Sequence, residues 1–240
     1  MKLVILAGGL GTRLGSITEK IPKPMVSIGN RPIIWHIMKY YFDYGIRDFI
    51  LCLGYKCESF ISFFQSQENK SDILISQSNI ELIDTGLNTL KGGRIKKIEK
   101  YLDDNTNLLT YGDGLSNVNI ESLIEFHSSH TGIVTVTGVH PPSRFGELEI
   151  KNNLVTSFVE KAQLSRGYIN GGFMVFDKTL MDYLTDEDDC DFEHNTLEEL
   201  SHNKKVFVFK HESHWECMDN ERELNRLNEM YNKGEAFWTK

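Results

Sequence analysis

The sequence predicts an α/β fold: a Rossmann-like, mostly parallel sheet flanked by helices, with a smaller mixed sheet built from the second half. Three observations predict it. Short, unbroken apolar runs such as Leu3–Ala7 end in glycines or other turn residues, as buried parallel strands do. Those runs alternate with segments whose apolar residues recur at helical spacing, the order expected of strand–helix–strand units. Past His130 the apolar runs shorten and turn residues interrupt them, which marks a change of architecture.

Leu3-Val-Ile-Leu-Ala7 is the first strand, and a glycine-rich loop follows it. Pro32 stands at the first position of a helix, where its fixed φ and missing N–H do no harm. Ile33, Ile34, Ile37, Met38 and Tyr41 fall on one face of that helix before Gly45 stops it. Phe49–Leu53 is the next strand, and Phe60, Ile61, Phe63 and Phe64 belong to a second helix. Further strands are predicted at Ile73–Ile75, Leu108–Tyr111 and Ile133–Thr137, with helices over Arg94–Leu102 and Ile120–His130. The second half supplies short strands at Leu148–Ile150, Val155–Val159, Phe173–Phe176 and Val206–Phe209, and helices at Lys178–Leu184, Asn195–His202 and Glu221–Tyr231. The charged run Asp186-Glu-Asp-Asp189 reads as a solvated loop.

Composition narrows the function classes. With 26 Lys plus Arg against 34 Asp plus Glu, the net charge of -8 argues against a dedicated nucleic-acid binder, which needs clustered excess cations. No stretch reaches the roughly 18 apolar residues of a membrane helix, and Met1 leads straight into the first strand, so a cytoplasmic, membrane-free protein is expected. Cys52, Cys57, Cys190 and Cys217 show no zinc spacing and read as reduced, structural thiols. The eight histidines show none either, and His211 with His214 is too thin a pair to make a site.

Chemistry starts in the loop Ala7-Gly-Gly-Leu-Gly-Thr-Arg13. Glycines after a strand let the backbone approach a ligand, and successive N–H groups there can point at phosphate oxygens, with Arg13 and Lys23 adding full charges. The blander reading is a tight turn with two surface cations. Two familiar phosphate loops fail on spacing. The dinucleotide fingerprint begins at Gly9-Leu-Gly11 but meets Leu14 at its third glycine, and no acid follows around Gly29–Arg31. The Walker pattern fails because no Gly-Lys-Ser/Thr follows.

Leu6-Ala-Gly-Gly-Leu-Gly-Thr-Arg-Leu14 with Pro22-Lys-Pro-Met25 resembles the signature of the sugar-phosphate nucleotidyltransferases, which join a nucleoside triphosphate to a sugar 1-phosphate. Within them the sequence is most similar to the glucose-1-phosphate cytidylyltransferases. Pro32–Met38, Asp84-Thr-Gly86, Gly92-Gly-Arg94, Thr110-Tyr-Gly-Asp-Gly114, Arg144-Phe-Gly146, Glu160-Lys161, Ile169–Phe173 and Met218-Asp219 carry that similarity. The resemblance implies one domain over residues 1–240 of the nucleotide-diphospho-sugar transferase type. A nucleotide-binding part of about 1–130 is then followed by a sugar-phosphate part of about 131–240, whose smaller sheet closes over the sugar.

It also implies roles for residues. Leu6, Ala7, Gly8, Gly9, Leu10, Gly11 and Thr12 would wrap the nucleotide, with Arg13 and Lys23 on its phosphates; Thr89, Arg94, Gly112 and Asp113 would complete that site. Asp113 and Asp219 match the aspartates that hold Mg²⁺, although a lone strand-end Asp is otherwise more often a turn residue or cap. Gly146, Glu160, Lys161 and Asn170 match positions facing the sugar phosphate, and Arg13, Lys23 and Lys161 would supply the catalytic charge. Gly92 and Gly93 would allow close approach of the chain. The aromatic stripe Trp35, Tyr40, Tyr41 and Phe42 is read as helix packing, and Trp215 as either core or pocket wall.

The implied reaction combines CTP with a sugar 1-phosphate, glucose 1-phosphate first among them, in a homo-oligomer. Between Asp72 and Asp84 the chain is shorter than in the cytidylyltransferases it resembles, so the acceptor stays open to another hexose 1-phosphate or a polyol or glycerol phosphate. UTP, dTTP, ATP and GTP remain open alternatives to CTP. A binding module without catalysis is the reading from another class, and an oxidoreductase is disfavoured by the failed fingerprint.

Overall fold

Both faces of the first strand are covered, and this arranges everything else. In the computed structural model, which describes residues 1–141, 147–159 and 167–239, strand β1 (Lys2–Leu6) buries Leu3 and Ile5 in one apolar cluster and Val4 and Leu6 in another. Alternate side chains point to opposite faces of a strand, so an unbroken apolar run is what a sheet with two cores requires. Each fully buried Leu, Ile or Val contributes about 1.5–3 kcal/mol.

After β1 and the glycine loop comes a short ribbon, β2 (Ser27–Ile28) and β3 (Arg31–Pro32), and then helix α1 (Ile33–Asp43). α1 buries Ile33, Ile34, Ile37, Met38 and Tyr41 as its spacing predicts, with Pro32 one position earlier than expected, at the N-cap. Strand β4 (Asp48–Leu53) and helix α2 (Cys57–Gln65) follow, and α2 adds Phe60 and Phe64 to the apolar cluster that α1 also enters.

The strand expected at Ile73–Ile75 is instead the single helical turn α3 (Ile73–Ser76). The Asp72 carboxylate accepts hydrogen bonds from the Leu74 and Ile75 N–H groups at 3.0 and 3.4 Å, and this cap outweighs an apolar run too short to define a period. The strand lies further on, as β5 (Asn79–Asp84). Helix α4 (Lys91–Lys97) starts three residues before its expected position and runs into a 3-10 turn at Glu99–Tyr101. Then come β6 (Thr106–Tyr111), β7 (Gly114–Ser116), α5 (Ile120–Ser128) and β8 (Val134–Val139).

The second half does not form one separate sheet. β9 (Glu147–Lys151) and β10 (Leu154–Val159) make a hairpin, but β11 (Ile169–Asp177) and β12 (Val206–His211) join the main sheet, whose order is β12-β8-β11-β6-β1-β4-β5. Met174, Val175 and Phe176 have no exposed surface, so β11 needs cover on both faces, which only the large sheet provides. β11 runs antiparallel to β6 and β8, while the other neighbours in this sheet pair in parallel. Last come a π-helical turn at Phe192–Leu197 leading into α6 (Glu198–His202), then β13 (Trp215–Cys217), which pairs with β7, and α7 (Glu221–Asn232). No helix of the described residues is long and apolar enough to cross a membrane.

Asp72 also accepts from Trp35 Nε1 at 3.1 Å and faces Arg31 Nη2 at 2.9 Å, with its side chain 8% exposed. Asp72→Ala removes a cap and two charge-assisted contacts and is expected to lower stability by about 2–4 kcal/mol in urea unfolding. An unchanged unfolding midpoint would show that water replaces all of them.

Candidate active site

Parallel strands bring their carboxyl ends to one edge of the sheet, where an open α/β fold builds its ligand site. Here the ends of β1 and β6 open into a cavity of about 500 Å³. Leu6, Ala7, Gly8, Gly9, Gly11, Thr12 and Arg13 line it from the glycine loop, and Lys23 and Pro24 from the next turn. Thr89, Leu90, Lys91 and Arg94 form the α4 side; Tyr111, Gly112 and Asp113 follow β6; Trp215, Cys217 and Asp219 close the far wall. Leu10 is 49% exposed at the loop tip and does not line the cavity. Gly146, Glu160 and Lys161 lie outside the described residues.

The charged centre is a bridged pair of carboxylates. Asp113 follows β6 and Asp219 follows β13, and the β7–β13 pairing, with the Met218 N–H donating to the Asp113 carbonyl at 2.9 Å, brings them together. Lys23 Nζ reaches both, at 2.5 Å from Asp113 Oδ2 and 2.6 Å from Asp219 Oδ1. Arg13 Nη1 lies 2.5 Å from Asp219 Oδ2 with its side chain largely in solvent. Lys23 is buried; burial alone would lower its pKa, but the two carboxylates outweigh that and hold the ammonium above the usual lysine value. Close packing fixes the approach: Gly11 sits at φ +65, and a Cβ there would lie 2.8 Å from the Lys23 Cβ.

Cys217, Asp219 and Glu223 place ligand atoms within 4.8 Å of one another, the one such group of three among the described residues. Two of them are otherwise committed. Glu223 Oε2 accepts from the Asp219 N–H at 2.6 Å, while its own N–H donates to Asn220 Oδ1, the N-cap of α7. Burial, then Glu223, Asp219 and Asp113, push the Cys217 thiol up to about 12, which leaves it a neutral wall of the cavity.

Arg94 is only 4% exposed, and its guanidinium is spent on the protein itself. Nη1 donates to Leu53 O at 2.8 Å, Thr85 Oγ1 at 2.7 Å and Gly86 O at 2.8 Å; Nη2 donates to Gly8 O at 3.1 Å and Leu87 O at 3.3 Å. Thr89 Oγ1 lies within hydrogen-bonding distance of Thr85 O, Asp188 Oδ1 and Lys97 Nζ. Gly92 and Gly93 do admit a close neighbour, but it is the chain at 187–190: added Cβ atoms would meet Cys190 Sγ at 2.7 Å and Glu187 O at 2.4 Å. The acidic run therefore does more than sit in solvent, since Asp188 pairs with Lys97 at 2.7 Å and its carbonyl accepts from the Leu90 N–H.

On the other side of the cavity Asn170 reaches the site through Tyr111. Its Nδ2 donates to the Tyr111 hydroxyl at 3.2 Å, which in turn donates to Glu193 Oε1 at 2.6 Å, and Lys91 Nζ pairs with the same oxygen at 2.5 Å. Burial and Glu193 hold the Tyr111 phenol above its usual pKa. Trp215 is both core and wall, being 8% exposed with Nε1 donating to Gly171 O at 2.8 Å. Sequence reasoning did not single out Lys91, Cys217 or Tyr111, although Tyr111 lies inside the quoted Thr110–Gly114 motif. Tyr41, stacked on Phe173 at 5.9 Å, and Tyr40, whose hydroxyl donates to Val118 O, pack as expected.

A nucleotidyl transferase family profile matches residues 2–231. The chain belongs to that family. Members similar to it include a protein of Bacillus subtilis (strain 168) named "Probable glucose-1-phosphate cytidylyltransferase", 40% identical across 99% of both chains. Another is the glucose-1-phosphate cytidylyltransferase of Salmonella typhimurium (strain LT2), 41% identical across 99% of this chain and 98% of that one. Among solved structures, HddC from Yersinia pseudotuberculosis complexed with GMP-PN superposes with a TM-score of 0.71 at 29% identity, covering 96% of this chain and 99% of that one. The chain shares its fold with that structure over nearly its whole length.

Gly112 lies between Asp113 and the Lys23-Pro24 turn, and a Cβ on it would stand 2.9 Å from Pro24 Cγ and 3.2 Å from Leu6 O. Gly112→Ala is expected to cost about 1–3 kcal/mol in urea unfolding by forcing that turn outward. A cost near zero would mean that the Pro24 ring gives way freely.

Proposed function

We propose that this nucleotidyltransferase joins CTP and glucose 1-phosphate to give CDP-glucose and pyrophosphate. One observation carries the reading: a buried ammonium and an exposed guanidinium converge with two carboxylates beside a strand-end glycine loop, in a cavity large enough for a nucleotide. Full-length similarity to the glucose-1-phosphate cytidylyltransferases supports CTP and glucose 1-phosphate as the substrates.

An oxygen of the acceptor phosphate attacks the α-phosphorus of CTP, the new O–P bond forms, and the bond to the β-phosphate oxygen breaks as pyrophosphate leaves. A phosphate monoester is ionised near neutral pH, with its second pKa about 6, so no general base is needed. The chain's part is positioning and charge. Arg13 and Lys23 exchange their carboxylate partners for triphosphate oxygens, and their charge follows the leaving pyrophosphate. The backbone of Leu6 to Thr12 and Gly112 encloses the nucleotide, with Thr89 and Arg94 behind it. Lys161 holds the acceptor phosphate, and Gly146, Glu160 and Asn170 face the sugar.

The donor set fits Mg²⁺. Two carboxylates converge on one point now bridged by an ammonium, and hard oxygen ligands suit that cation. Asp113 and Asp219 would hold it, and it would supply further charge neutralisation on the phosphates. A cytoplasmic homo-oligomer is part of the same proposal; the β9–β10 hairpin leaves Ile150, Val155 and Phe158 48–63% exposed, an apolar surface available to another subunit.

The test offers purified protein and Mg²⁺ each of CTP, UTP, dTTP, ATP and GTP against glucose 1-phosphate, and follows pyrophosphate. Release with CTP and glucose 1-phosphate is expected; binding of CTP with no release from any pair would refute the enzyme. Asp113→Asn keeps the shape and removes the charge, and should lower turnover more than about a hundredfold while the protein still folds. Near-wild-type turnover would dismiss Asp113 as a metal ligand.

A further inference from the structure

Glu193 heads a chain of hydrogen bonds that ends on the sugar side of the site. Its backbone is fixed in place: Phe192 beside it has no exposed surface, and the Asp191 carboxylate accepts from the Glu193 and His194 N–H groups at 2.8 and 2.9 Å. Glu193 Oε1 then takes the Tyr111 hydroxyl at 2.6 Å and the Lys91 ammonium at 2.5 Å. An ionised carboxylate has no proton to give, so the phenol is the donor in that pair. The Tyr111 oxygen is left with lone pairs only for its other neighbour, the Asn170 amide at 3.2 Å.

The oxygen and nitrogen of an asparagine amide have nearly the same shape and opposite hydrogen-bonding character, so its neighbours decide which way it turns. Both neighbours agree here. Tyr111 offers a lone pair and calls for Nδ2, while the Gly172 N–H donates at 3.0 Å and calls for Oδ1. Among the described residues the second Nδ2 hydrogen has no partner, and Asn170 is half-buried, so that hydrogen remains available to a ligand.

Resting on the reading above, in which Asn170 faces the sugar, we infer that Glu193 is a positioning residue for the acceptor: through Tyr111 it fixes the Asn170 amide so that a sugar hydroxyl oxygen meets a donor, Nδ2.

The backbone around Asn170 is shaped to the same end. β11 shifts register against β8 between Asn170 and Met174, and an irregularity of this kind re-aims a side chain. Gly172 lies within it at φ +81, where a Cβ would stand 2.5 Å from Tyr111 Cδ2, so the phenol ring packs directly on the glycine that turns Asn170. Burial, then Glu193, hold the phenol above its usual pKa, and the hydroxyl therefore keeps the proton that it gives to Glu193.

The test compares wild type with Tyr111→Phe, Glu193→Ala, Glu193→Gln and the double variant Tyr111→Phe/Glu193→Ala. Tyr111→Phe and Glu193→Ala should each raise KM for glucose 1-phosphate by about fivefold or more and leave KM for CTP within about twofold. Glu193→Gln keeps an oxygen that can accept from the phenol and should recover most of the loss. Because both residues act through one amide, the double variant should be no worse than Tyr111→Phe alone. An unchanged KM for glucose 1-phosphate in Glu193→Ala, an equal rise in KM for CTP, or effects that multiply in the double variant would each overturn the inference. In the free proteins, the Asn170 side-chain amide signals of a ¹H–¹⁵N spectrum, assigned by their loss in Asn170→Asp, should move in Tyr111→Phe and in Glu193→Ala. Signals that stay in place in Glu193→Ala also overturn it. Should Glu193→Ala not fold, Glu193→Met fills the same space and takes its place. A wild type that does not use glucose 1-phosphate defeats the functional reading alone, because the spectra need no ligand and still decide whether Glu193 sets the amide.

Discussion

The contact on which the site depends is the Lys23 ammonium between Asp113 and Asp219. Two carboxylates meeting at the edge of a cavity repel each other, and in this protein a buried cation from a third segment balances them. That arrangement ties together the turn after the glycine loop, the end of β6 and the chain after β13. It also leaves the charges of Arg13, Lys23, Asp113 and Asp219 paired with one another at the edge of the cavity. Preorganised charge of this kind needs little rearrangement at the moment of reaction.

Behind the charged centre a second layer holds the backbone. Arg94 collects carbonyls from separate loops, Glu223 on α7 accepts from the Asp219 N–H, and Asp188 and Glu193 bind α4 and Tyr111. Each of these side chains is charged, and each is held by groups of the protein itself. The charged residues around the cavity thus differ in what holds them: Arg13 pairs with Asp219 while lying largely in solvent, and Arg94 is buried among carbonyls.

The order of the sheet explains why the two halves of the chain share one cavity. β11 enters between β6 and β8 in the opposite direction, which carries Asn170 and Gly171 to the end of the sheet where Tyr111 and Trp215 stand. Had β11 and β12 formed a sheet of their own, these contacts would not exist. The small β7–β13 ribbon acts likewise, because its pairing sets the distance between two aspartates far apart in the chain.

By itself the sequence determined the parts whose signals are local. Continuous apolar runs identified β1, β4, β6 and β8, the spacing from Ile33 to Tyr41 identified α1, and the glycines before Arg13 marked the loop that lines the cavity, because period and backbone freedom are properties of neighbouring residues. Family motifs pointed to Lys23, Asp113 and Asp219. Only the tertiary structure decided that β11 belongs to the main sheet, that Ile73–Ile75 turns into a helix under the Asp72 cap, and that Arg94 faces inward. A three-residue apolar run fits either period, and a cation beside two glycines suits a ligand as well as a carbonyl. The choice rests on which oxygens the fold brings within 3 Å or so of the guanidinium, a distance set by residues remote in sequence.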